Sequence, residues 1–272
     1  MIRHDSRRVS ASARVIVLVG ATAFATLAAP AARATVDLCG ATIVEDLTLD
    51  QDLTCAAGGL IVGADGIKIN LQGHSITGAG AGAGITVAGR TDVTIFGGTI
   101  ANFFAGVLTT NSTDVVIKDN TLRDNTDGVD VQAGSSGITI KANKFVANRT
   151  RGIMLRGAVS NVEVKDNGFI RNRVGILLFG PTSTTVKANT IWASTLAAIR
   201  VNFPATGNVV LDNTLTSNPA AIDFLPGPAG GAVGNSFIGN AIASNTCGIK
   251  GPYTENAFSE NQFSGNTSDI CS

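Results

Sequence analysis

An asparagine returns every 22 to 26 residues, each time two positions ahead of a large apolar side chain, and a period of that length leaves few architectures open. The asparagines are Asn120, Asn143, Asn167, Asn189, Asn213, Asn235 and Asn261, followed at the same offset by Leu122, Phe145, Phe169, Ile191, Leu215, Phe237 and Phe263. Five residues after each stands a second polar column of Asn125, Asn148, Asn172, Ser194, Asn218, Asn240 and Asn266. A small residue followed by an aliphatic one recurs a few positions further on, as in Gly128-Val129, Gly152-Ile153, Gly175-Ile176 and Ala198-Ile199. Weaker units precede these, with His74 and Gly98 in the first asparagine slot.

Between the landmarks the runs are short, β-branched and alternating, as in Val129-Asp130-Val131 and Ile138-Thr139-Ile140, the period-two pattern of strands with one buried face. Helical spacing is absent. About three short strands per unit are too few for a propeller blade, so successive units must stack as coils about 4.8 Å apart, each strand pairing in parallel with its equivalent. The spacing therefore predicts an all-β solenoid, a parallel β-helix of about nine coils and about 45 Å. Stacking turns the asparagine columns into ladders of amides that serve the turns, and the Leu, Ile and Phe column into an apolar stack along the bore. His74 reads as a turn-compatible polar residue in a ladder slot before it reads as a ligand or base.

The ends carry different signals. Arg3, Arg7, Arg8 and Arg14 precede an apolar run from Val15 to Ala29 that is short for a membrane span, and Ala32-Arg33-Ala34 has the small-x-small pattern of a cleavage site. We read residues 1–34 as a signal peptide, with cleavage near Ala34 and a secreted, periplasmic or cell-surface destination. No later segment is apolar enough to span a membrane. Residues 35–272 are then one β-helix domain, with an N-terminal cap over 35–58 and the last coil and C-terminal cap over 245–272. Cys39 and Cys55 sit at one end and Cys247 and Cys271 at the other, an even count that in an exported chain predicts disulfides between near neighbours, pinning both ends. Losing the leader removes five arginines and one aspartate, leaving 15 basic and 19 acidic groups and a net charge of −4, which disfavours nucleic acid as a partner.

The opening Cys39-Gly40, Asp52-Leu53-Thr54-Cys55 and Leu71-Gln72-Gly73-His74-Ser75-Ile76, with the Gly-Ile and Asn-x-aliphatic units, resembles bacterial right-handed parallel β-helix repeat proteins of the pectin-lyase-like superfamily and the NosD-type periplasmic proteins. The resemblance spans the mature chain and implies a single-stranded right-handed helix with a polysaccharide cleft along one sheet. It is specific for fold and weak for activity, because the repeat residues are scaffold. NosD-type proteins are associated with copper delivery. One mature histidine, His74, and one mature methionine, Met154, are a poor supply of copper ligands, so a copper role is not expected.

If Ile and Val of the Gly-Ile strand point inward, the outward columns run Thr86, Leu108, Asp130, Met154, Leu177, Arg200, Asp223, Lys250 and Ala88, Thr110, Gln132, Arg156, Phe179, Asn202, Leu225. Charge gathers beside this face in consecutive coils as Asp124, Asp127, Asp130, then Arg149, Arg151, Arg156, then Arg171, Arg173. Two readings follow. In one the face binds carbohydrate or a cell-surface partner without catalysis, through Asp130, Gln132, Phe179, Arg200 and Asn202, and the charges are cross-coil ion pairs. In the other, which the resemblance to pectate lyases suggests, Asp124, Asp127 and Asp130 hold Ca²⁺ while Arg151 or Arg156 neutralises or deprotonates an acidic sugar in a β-elimination. A glycosidase of the usual kind is disfavoured, since Asp130 and Asp223 stand four coils or about 19 Å apart where about 5 to 9.5 Å is needed. Leu108, Met154, Leu177 and Phe179 form an exposed apolar strip by this reading, and Lys118, Lys141, Lys165 and Lys187 a solvated column on a second sheet.

Overall fold

A computed structural model describes residues 37–227 and 231–271; the expected signal peptide, residues 1–34, lies outside them. Every regular element in that range is a short strand, and the strands assemble into three parallel sheets of 11, 10 and 10 members. The chain visits them in rotation, so each strand pairs with the one three places on, and the result is a right-handed parallel β-helix of about 10 turns. The lateral sheet runs from Thr42–Ile43 to Ser268–Cys271, the second from Leu47–Thr48 to Ala257–Ser259 and the third from Leu53–Thr54 to Gln262–Ser264. The extra turn comes from residues expected to form only a cap. Thr42, Leu47 and Leu53 already pair with Ile61, Ile69 and Ile76, in strands of two residues that are too short to show alternation in sequence.

The bore is filled by one aliphatic or aromatic side chain from each strand of the second and third sheets and up to two from each lateral strand, with Ile76, Ile100, Leu122, Phe145, Phe169, Ile191, Leu215 and Ile242 all buried. Phe145 and Phe169 stack at 4.7 Å with 9° between their planes, as identical positions one coil apart must. The glycines of the Gly-Ile units answer to this packing. A Cβ on Gly128 would lie 2.5 Å from the Gly152 carbonyl and 2.6 Å from Phe145, so the lateral strand can enter its turn only without a side chain there.

The turns on either side of the third sheet are built the same way: one residue takes a positive φ and the next contributes a ladder side chain. Asp119, Asp124, Ala142, Ala147, Ala188 and Ala193 adopt φ of 51° to 57° directly before Asn120, Asn125, Asn143, Asn148, Asn189 and Ser194. The left-handed conformation costs an L-residue about 1–2 kcal/mol. The ladders offset it. Asn120 N–H donates to Asn143 Oδ1 at 3.0 Å, Asn143 N–H to Asn167 Oδ1 at 2.9 Å, and Asn167 N–H to Asn189 Oδ1 at 3.0 Å, while Asn143 Nδ2 reaches back to the Ile117 carbonyl at 2.9 Å. A corner that would strand its backbone groups is thereby satisfied.

One assignment from the period is corrected. There are three asparagine ladders, not two, and they stand five residues apart: Asn208, Asn213 and Asn218 in one coil, Asn235, Asn240 and Asn245 in the next, Asn256, Asn261 and Asn266 in the last. Asn235 belongs to the new ladder, bonded to Asn208 and Asn256; Asn240 continues the first and Asn245 the second. The slip arises because the segment after Leu225 is long enough to bring Asn235, with its own Phe237, into the place where the period expects the first column. Both expected disulfides are present, Cys39–Cys55 and Cys247–Cys271, with Cα separations of 5.4 and 6.2 Å.

Candidate functional site

The lateral sheet is the broadest surface, because its strands run to six residues where the other two sheets use three. Outward side chains along it alternate with the buried Val129, Val131, Ile153 and Leu155 and meet their equivalents one coil away. The register brings the acidic and basic residues together as three cross-coil ion pairs. Arg151 Nη1 donates to both oxygens of Asp127 at 3.2 and 3.1 Å. Arg156 grips Asp130 with Nε at 3.1 Å and Nη2 at 2.8 Å, and Gln132 Nε2 adds a bond to Asp130 at 2.9 Å. Arg200, directly opposite Asp223, donates through Nε at 2.9 Å.

The three carboxylates are 4, 2 and 4% exposed while Arg156 remains 43% exposed, so these pairs are not simple surface bridges. Burial pushes the Asp127 carboxyl up to about 6; Arg151 opposes the rise and the neighbouring Asp130 adds to it. Removing one arginine would leave a buried carboxylate unpaired, a loss of roughly 3–5 kcal/mol.

Two expectations for this face do not hold. Asp124 turns away to Arg123 at 2.7 Å, and Asp127 and Asp130 are each held by a guanidinium, so among the described residues the three do not gather into one cation site. Nor is the apolar strip open. Met154 and Leu177 are 6 and 5% exposed and form a pad with Val174, because Leu196, in the turn before Ala197–Asn202, folds against them. Only Phe179 stays substantially exposed, at 43%.

Two concavities flank the pad. One, of about 330 Å³, is lined by Thr86, Phe104, Leu108, Asp130 and Gln132, among others. The other, of about 390 Å³, holds Phe179, Asn202, Phe203, Pro204, Leu225 and Pro226. The expected binding residues thus fall into three groups: Asp130 with Gln132, Phe179 with Asn202, and Arg200 in its own ion pair. Phe104, 52% exposed, was not singled out from sequence; the signal was the doublet Phe103-Phe104, in which alternation must turn one ring outward. His74 occupies its ladder slot, its carbonyl accepting from Thr99 N–H at 3.0 Å and its Nδ1 lying 3.4 Å from Asp52. The lysine column does stack in register, and Lys165 and Lys187 share Glu163.

With this geometry in view, the sequence matches the family described as periplasmic copper-binding protein (NosD) over residues 66–230 and 160–271. The chain belongs to the NosD family. No curated protein matches it in sequence. Among solved structures, an alginate lyase from a Paenibacillus species superposes with a TM-score of 0.64 at 14% identity, over 85% of this chain and 89% of that one. A periplasmic alginate epimerase gives 0.60 at 16% identity, over 75 and 61%. An endo-xylogalacturonan hydrolase from Aspergillus tubingensis gives 0.58 at 14%, over 85 and 84%. At such identities the likeness concerns the fold, a right-handed parallel β-helix.

The family description implies copper, and the donors do not fit it. All four cysteines are in disulfides, Met154 is buried in the apolar pad, and His74 lies in an early coil far along the stack from it. Among the described residues no cluster of histidine, cysteine, aspartate or glutamate could hold a metal ion. Soft or imidazole ligands converging on one point are what copper requires. Nor is any helix among the described residues long and apolar enough to cross a membrane.

Proposed function

We propose that this NosD-family chain is an exported β-helix protein that presents its lateral sheet to carbohydrate and binds it without catalysis. The observation that carries this reading is the pair of open concavities on one sheet face, each bordered by an exposed phenylalanine and a side-chain amide, between which the ionisable groups are already engaged with one another. Exposed aromatic rings offer sugars an apolar face to stack on, and amides suit hydroxyl groups that both donate and accept. The three structural neighbours named above act on carbohydrate according to their descriptions, which supports the choice of ligand class. Export is supported by the leader sequence, by the periplasmic family description and by two disulfides, which persist in oxidising compartments. A glycan array probed with the mature protein tests the reading, with saturable binding to a defined polysaccharide class as the expected result.

A second reading, a Ca²⁺-assisted lyase for acidic glycans, is favoured by one observation: an Asp127 carboxyl raised to about 6 is poised to exchange a proton near neutral pH. In it Asp127 and Asp130 contact Ca²⁺ and Arg151 or Arg156 acts on the sugar, which requires the present ion pairs to open. Incubation with pectate, alginate and glycosaminoglycans, with and without Ca²⁺, decides the matter through the ultraviolet absorbance of unsaturated uronate ends. Absorbance that grows with Ca²⁺ and is lost in Arg156→Lys would replace binding by catalysis.

A further inference from the structure

Resting on the carbohydrate reading above, we infer that the ligand is a neutral polysaccharide, held at two aromatic subsites on the lateral sheet, and not the uronic-acid polymer that charged groups on such a face would suggest. Charge decides the first half of the inference. Between Phe104 and Phe179 the face carries Asp127, Arg151, Asp130 and Arg156, and each guanidinium there is matched to a carboxylate through two hydrogen bonds. The next pair along the stack, Arg200 with Asp223, is matched in the same way. A sugar carboxylate reaching any of these arginines must compete with a buried aspartate for its guanidinium, and a buried carboxylate left without its partner is costly. A hydroxyl group makes no such demand, since it can bond to the outer edge of a pair without breaking it.

The aromatic groups supply the second half. Phe104 borders the concavity that contains Gln132, and Phe179 the one that contains Asn202 and Phe203, so each subsite joins an exposed ring to an amide. Asn202 Oδ1 is buried without a hydrogen-bond partner, an unmet acceptor at the edge of the second concavity. The strands Ala105–Thr110 and Val174–Phe179 are three coils apart, and the two rings sit at opposite strand ends, which separates the rings by about 24 Å on a diagonal. The closed pad of Met154, Val174 and Leu177 lies between them. A chain of several sugar units spans both subsites, and a monosaccharide fills only one.

Titration calorimetry of the mature protein tests this, with hexasaccharides of glucose, xylose and mannose set against hexasaccharides of galacturonate and guluronate, each at low and high NaCl. The expected result is binding of a neutral hexasaccharide that is unaffected by salt and at least tenfold weaker for the corresponding disaccharide. Phe104→Ala and Phe179→Ala should each weaken it by roughly tenfold. Both rings are exposed, and Phe104→Trp and Phe179→Trp, which keep the platform, should restore binding if either alanine variant melts early. Binding only of acidic hexasaccharides, falling with salt and indifferent to both substitutions, would overturn the neutral-ligand inference and leave the carbohydrate reading standing. Binding of no hexasaccharide, or binding abolished by Trp192→Ala on the third sheet and not by the phenylalanine variants, would overturn the lateral-face reading itself.

Discussion

Between Asn125 and Asn266, Ser194 is the one position at which the second ladder lacks its amide. Asn172 and Asn218 stand one coil to either side, and Asn218 Oδ1 accepts from Ser194 N–H at 2.9 Å, but the serine hydroxyl is buried without a partner. A serine is too short to bridge coils as its neighbours do. Ser194→Asn should complete the ladder and raise stability by about 1 kcal/mol, read as an increased melting temperature. Asp127 makes a prediction of the opposite kind. Its carboxyl holds a proton more tightly when folded, at about 6, than at the ordinary 3.8, so its contribution to stability is fully present below 3.8 and is lost as pH rises through about 6. Denaturation of Asp127→Asn beside the unchanged protein should therefore show the difference between them shifting in the variant's favour as pH rises across 6. A difference independent of pH would mean that folding leaves the Asp127 carboxyl unshifted from 3.8.

At the scale of the element, the turn is what makes this sequence a coil, and it was only half legible. The polar columns betrayed two ladders. The third stayed hidden because its slot holds Val93, Val115, Ile138 and Val162 in earlier coils, each buried in the bore, and turns polar only from Thr184 onward. Positive φ at Ala142, Ala147, Ala188 and Ala193 was equally invisible, since alanine gives no turn signal and is held there by the hydrogen bonds of the next residue. Ala142→Gly should relieve that strain and, after the entropy lost by glycine, stabilise the protein by about 0.5–1 kcal/mol. The ion pairs could be anticipated from the repeat because period fixes register, and register placed Asp127 over Arg151. Which face residues are covered could not, because Leu196, which closes the pad, follows no period.

At the scale of the whole molecule, stability is carried by contacts between adjacent coils, so damage should stay local. Cys247→Ser together with Cys271→Ser opens a loop with a sequence separation of 24, and the last coil should loosen by about 3 kcal/mol. Hydrogen exchange should accelerate over Ala257–Ser259, Gln262–Ser264 and Ser268–Cys271 and remain unchanged around Asn143 and Asn167. Uniform acceleration along the chain would argue for one cooperative unit instead.

The ladders also show where this architecture can change. Sequence separations between rungs range from 21 to 27, yet within a coil Asn208, Asn213 and Asn218 keep a spacing of five, as do Asn235, Asn240 and Asn245. All the variation in length falls in the remaining side of each coil, which holds the lateral strand and the loop that leaves it past Phe203 and Pro204 or Pro226 and Gly227. Two sides act as fixed rulers, and the third is an expansion joint. Grafts and natural insertions are therefore channelled to the rim of the same two hollows, so recognition can diverge while the spine of amides keeps its measure.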